Sequence, residues 1–173
     1  MNEALAATRV LTLALDAASQ ERFEELRQAH YPAALNRIGA HLTLFHTLPE
    51  NEEVRGALTR EAEALGSFAV PVAGVMSLGR GVALSLESAE LLGLHGRLAT
   101  AFARHLSRQD QQGFRPHVVV QNKVSGGEAK ALLDELRAVF VPWEAEAVGL
   151  DWWDYLGGPW RLRERFAFKR RGN

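Results

Sequence analysis

His41-Leu42-Thr43-Leu44-Phe45 and His117-Val118-Val119-Val120-Gln121 are two short apolar runs that each open on histidine, 76 positions apart. Their length and β-branched or aliphatic content predict strands. The surroundings of the two runs also correspond. Upstream lie two further strands, Val10-Leu11-Thr12-Leu13-Ala14-Leu15 and Val82-Ala83-Leu84-Ser85-Leu86, 72 positions apart and each closed by an acid that can start a helix, Asp16 or Glu87. Helical patterning follows both: Phe23, Leu26 and His30 share one face, and Leu91, Leu98 and Phe102, with Leu94 beside them, share another.

Downstream of each histidine strand an amphipathic helix is predicted. The first carries Val54, Ala57, Leu58 and Leu65, with Gly66 as its stop. The second carries Leu132, Leu133, Leu136 and Val139 and opens on Ser125-Gly126-Gly127-Glu128, a capping-box pattern. A further strand closes each half, Phe68 to Gly74 and Trp143 to Gly149, its two glycines 75 positions apart. Strand–helix–strand–helix–strand, written twice, predicts a pseudo-symmetric α+β fold. Neither half has enough core to stand alone. Residues 1–173 are therefore read as one bilobal domain, with repeats at roughly 8–80 and 81–168 that are free to exchange strands. Trp160 to Phe168 is a last strand, and Lys169-Arg170-Arg171-Gly172-Asn173 a frayed tail.

The bulk composition narrows the function. A formal net charge of −1 over 173 residues argues against coating long nucleic acid by electrostatics alone. Without cysteine there is no disulfide framework, no thiolate nucleophile and no cysteine zinc site. Arg9 followed by Val10 to Leu15 loosely imitates a signal peptide, but the run is short and follows Glu3 rather than a basic segment. No stretch approaches the ~20 apolar residues that span a bilayer. The expectation is a soluble, unexported, cytoplasmic protein.

Strand alternation puts His41, Thr43 and Phe45 on one face, with Leu42, Leu44 and His46 on the other. His117, Val119 and Gln121 share a face in the second strand. If a pseudo-twofold axis relates the halves, both imidazoles approach one ligand from opposite sides of a groove. That suits in-line displacement at phosphorus, one neutral histidine taking a proton and a protonated one giving it. Imidazole, with an unperturbed pKa of ~6.5, populates both forms near neutrality. The Thr43 hydroxyl can donate to a non-bridging oxygen.

These residues resemble the two-histidine phosphoesterases, specifically the bacterial 2′-5′ RNA ligase-like branch, whose signature is a pair of His-x-Thr/Ser-x motifs in equivalent halves. His41-Leu42-Thr43-Leu44 is similar to the first motif and Arg115-Pro116-His117-Val118-Val119-Val120 to the second, proline included. The resemblance spans roughly Arg9 to Phe168. It implies two antiparallel sheets flanked by helices around a central groove. It also implies hydrolysis of 2′,3′-cyclic phosphates, or formation and reversal of 2′-5′ links, with neither metal nor cofactor. Val119 departs from the motif: valine has the shape of threonine and cannot donate a hydrogen bond. A missing bond to a charged oxygen costs roughly one to two orders of magnitude in rate. Gln121 or a backbone N–H is a possible substitute.

The other histidines take structural readings: His95 and His105 pack a helix, His30 ends one, and His46 packs or caps opposite His41. Arg161, Arg163 and Arg165 line one strand face, read equally as a solvated face or a phosphate-guiding rim. Trp152, Trp153, Tyr155 and Trp160 suit core packing better than base stacking. No phosphate loop, dinucleotide fingerprint or nucleophile elbow is present. The expectation is a metal-independent, monomeric phosphodiesterase acting on a nucleotide or RNA end. Its catalytic residues are His41 and His117, and its substrate contacts Thr43, Phe45, Arg115, Gln121 and Lys123. The alternative is a nucleotide- or RNA-binding module on the same fold with weak or lost catalysis, which Val119 favours.

Overall fold

The computed structural model describes residues 8–155 and 157–171. Glu3, Gly172 and Asn173 lie outside them, and with them part of the N-terminal reading and of the expected tail. The elements run β1 (Thr8–Leu15), α1 (Ala17–His30), β2 (Leu42–Leu48), α2 (Glu52–Ala64), β3 (Phe68–Ser77), β4 (Val82–Leu86), α3 (Ala89–Ala101), β5 (His117–Gln121), α4 (Gly126–Val139), β6 (Trp143–Tyr155) and β7 (Arg161–Ala167). Each helix starts on a side chain that accepts an otherwise orphaned N–H: Asp16 from Ser19, Asn51 from Val54, Ser88 from Leu91 and Ser125 from Glu128. The cap before α3 is thus Ser88 and not the acid beside it. Ser88 lies 72 positions after Asp16, so the caps obey the repeat.

The sheet runs β2-β1-β6-β3-β4-β5, with β7 also on β6. Every pairing among the named strands is antiparallel, as expected of this α+β chain. Exchanging each strand for its repeat partner (β1 for β4, β2 for β5, β3 for β6) returns the same order reversed. The repeat is therefore a pseudo-twofold of the sheet, its axis between β3 and β6. The two sheets implied by the resemblance are joined here into one. The cause is β6: Ala147 lies opposite Leu15 of β1 on one side and Phe68 of β3 on the other.

The joining carries an exchange. First-repeat β3 pairs with second-repeat β4, while β6 pairs with β1. The helices follow, α1 packing on β5 and α4 on β3. β6 also outruns its predicted end at Gly149. That glycine lets β7 close in, since a Cβ there would sit 2.8 Å from the Phe166 carbonyl oxygen. Lys169 is not frayed, as its N–H donates to Leu65 and its carbonyl accepts from Ser67. One apolar cluster, from Leu11 and Phe23 through Leu58, Phe68 and Leu98 to Val120 and Leu150, runs through the molecule. No described helix is long and apolar enough to cross a membrane.

Candidate active site

Both histidine strands carry a bulge at the same repeat position. Thr12 and Leu11 of β1 face Thr43 and Phe45, which leaves Leu44 as an extra residue. Ala83 and Val82 of β4 face Val119 and Gln121, which leaves Val120 extra. A bulge shifts the alternation of everything beyond it. Up to that point the expected faces hold. His41, Thr43, His117 and Val119 line one cavity of about 440 Å³, with Arg115 exposed at its mouth.

Beyond the bulges two expected contacts turn away. Phe45 is fully buried, stacked on His95 at 4.6 Å and edge-on to Phe102 at 5.4 Å. Gln121 is also buried and does not line the cavity. It cannot supply the hydrogen bond that Val119 lacks. The same shift brings His46, expected on the far face, into the cavity wall. Lys123 is exposed but lies in an adjoining cavity.

The two imidazoles are tethered alike. His41 Nδ1 lies 2.7 Å from the Gly39 carbonyl oxygen, and His117 Nδ1 lies 2.7 Å from that of Arg115. A carbonyl can only accept, so each Nδ1 carries a proton and each Nε2 is left for a ligand. Surrounding protein desolvates His41 and pushes its pKa down to about 4. The bond to Gly39 works against this, and the charges of Arg27, His117 and His46 add to it. His41 is therefore neutral at pH 7.

Two features of the cavity had no signal in the sequence. The Trp160 ring packs on His41 at 4.6 Å, where β7 begins. The His46 Nδ1 lies 2.9 Å from buried Asp110, whose carboxylate also accepts the backbone N–H groups of His46 and Thr47. Burial works to raise the Asp110 pKa, but these hydrogen bonds hold it below the ordinary carboxylate value. Asp110 sits 64 residues from His46, in a loop whose path periodicity does not foretell.

The remaining sequence readings separate. His95 does pack, between Phe45 and Phe114, and burial lowers its pKa. His105 meets Glu53 at 3.2 Å. Trp152 is buried in the core, whereas Trp153 and Trp160 line a cavity that includes His41. Arg165 makes a two-point bond to Asp151 at 2.7 and 2.9 Å, and Arg163 lies 3.4 Å from Asp154.

Comparison with known proteins adds to this geometry. The family model of the 2′-5′ RNA ligase superfamily matches residues 15–159. Among solved structures, Escherichia coli LigT in complex with 3′-AMP superposes with a TM-score of 0.62 at 19% identity, covering 95% of this chain and 99% of LigT. LigT in complex with NADP+ gives 0.61 at 20%, covering 95% and 99%. TT0787 of Thermus thermophilus gives 0.65 at 15%, covering 95% and 100%. No curated protein matches.

Proposed function

The chain belongs to the 2′-5′ RNA ligase superfamily, and from that premise we propose that it is a phosphodiesterase using His41 and His117 as an acid–base pair on a 2′,3′-cyclic phosphate or a 2′-5′ link. The observation that carries the reading is the matched tether: two repeat-equivalent imidazoles line one cavity, each held through Nδ1 by a carbonyl two residues upstream. In the hydrolytic direction a water oxygen bonds to phosphorus and its proton passes to the neutral His41 Nε2. His117 delivers a proton to the ribose oxygen as its bond to phosphorus breaks. Thr43 donates to a non-bridging oxygen, and Arg115 attracts the anion at the mouth. The protein works as a cytoplasmic monomer without metal or cofactor. The LigT complexes with 3′-AMP and NADP+ are consistent with a nucleotide ligand.

The test is turnover of the four nucleoside 2′,3′-cyclic monophosphates after EDTA treatment. Release of a single nucleotide isomer from any of them supports the reading. Tight nucleotide binding without turnover favours the binding module instead, for which the specific observation is Val119 in the cavity wall. Val119→Thr discriminates. It adds a donor to the cavity that Thr43 also lines and raises kcat by roughly tenfold or more; an unchanged rate places no phosphate oxygen there.

The pH profile tests the assignment of roles. A base must be unprotonated, so activity is present above its pKa and lost as pH falls through it. With His41 at about 4, no acid-side loss of kcat/KM is expected between neutrality and about pH 5, and the decline sets in below that. A decline centred at the ordinary histidine value of ~6.5 would instead remove His41 from the role of base.

A further inference from the structure

A second cavity, of about 660 Å³, adjoins the two-histidine cavity and shares His46, Gln109 and Trp160 with it. Arg27, Arg37 and Lys123 line this cavity together with His46, and among the described residues no carboxylate does. In a chain of net charge −1 that is a marked local excess of cations.

Arg27 is the most telling of them. It is only 3% exposed and makes no ion pair among the described residues. Its Nε donates to the Asn36 side chain at 2.8 Å, its Nη1 donates to the Val119 carbonyl at 3.1 Å, and its guanidinium lies 4.0 Å from the Tyr31 ring. Glu24 acts on it through charge, without a hydrogen bond. Burying a guanidinium with no carboxylate against it is costly, and an anion in the cavity would offset that cost. Tyr155 and Trp160, with rings 6.4 Å apart, add flat apolar surface to the same wall.

The geometry points to a second phosphate subsite, in which Arg27, Arg37 and Lys123 hold the neighbouring phosphate of an oligonucleotide whose terminal phosphate lies between His41 and His117. The Tyr155 and Trp160 rings receive the base between the two phosphates. The subsite rests on the phosphodiesterase reading above and narrows its substrate class to oligonucleotide ends.

Calorimetric titration compares two probes, adenosine 3′-phosphate and the dinucleotide ApAp, which carries one more phosphate and one more base. ApAp is expected to bind roughly tenfold or more tighter. Its affinity should also fall more steeply with salt, by a log–log slope of ~0.7 per added phosphate contact. Arg37 and Lys123 are both exposed, so Arg37→Gln combined with Lys123→Gln spares the core. The double variant should lose most of the ApAp advantage and the extra salt slope.

Equal affinity for both probes in the unaltered protein overturns the subsite and leaves the phosphodiesterase reading standing. An ApAp advantage without added salt slope, or one that survives the double variant, also overturns it, because stacking alone would then explain it. Failure of both probes to bind, together with absent turnover, overturns both readings.

Discussion

His41→Ala and His117→Ala are each expected to lower turnover of a 2′,3′-cyclic phosphate by roughly 10²–10⁴-fold, the usual worth of a positioned acid or base. The fold should tolerate either change. Each ring makes one hydrogen bond to a backbone carbonyl and lines a cavity, so truncation leaves no void in the core. The cost is about 1 kcal/mol, which for a chain of this size moves Tm by ~2–4 °C. The double variant gives a second readout. Two groups acting in one proton-transfer scheme lose about as much singly as together. Independent binding contacts would instead multiply their losses. Full turnover in either single variant, with an unchanged melting curve, ends the catalytic assignment.

Phe45→Ala is expected to act on stability and not on the substrate. The ring is fully buried between His95 and Phe102, directly after the bulge in β2. Removing it costs ~3–5 kcal/mol through lost transfer energy and the void left behind. Tm should fall by ~10 °C or more, and Phe45→Leu should recover part of that. Below the transition, KM for a cyclic nucleotide should stay within about twofold, because no Phe45 atom faces the cavity. A large rise in KM with an unmoved Tm would restore the ligand contact that strand alternation predicts.

Much of the fold was legible in the chain itself. The Asp16 and Ser125 caps, the apolar helix stripes and the two histidine strands are short-range features, set by residues a few positions apart. The similar offsets between halves, 72 to 76 positions, then implied a pseudo-twofold relation, and the sheet order has that symmetry. His41, Thr43, His117 and Val119 precede the bulges, so simple alternation put them on the right face. Arg115 needed only its adjacency to His117.

Phe45, Gln121 and His46 were misplaced for a single reason. Alternation is a property of one strand, whereas a bulge is a property of a pair. The extra residues Leu44 and Val120 arise from the register of β2 on β1 and of β5 on β4, which no local period encodes. The Asp110 carboxylate under His46 and the Trp160 ring on His41 likewise arrive from distant segments. The sequence by itself determined the repeat, the kinds of element and the two imidazoles, because these follow from local chemistry and from duplication. Only the tertiary structure decided which neighbours share the cavity, because strand register and loop path come from packing the whole sheet at once.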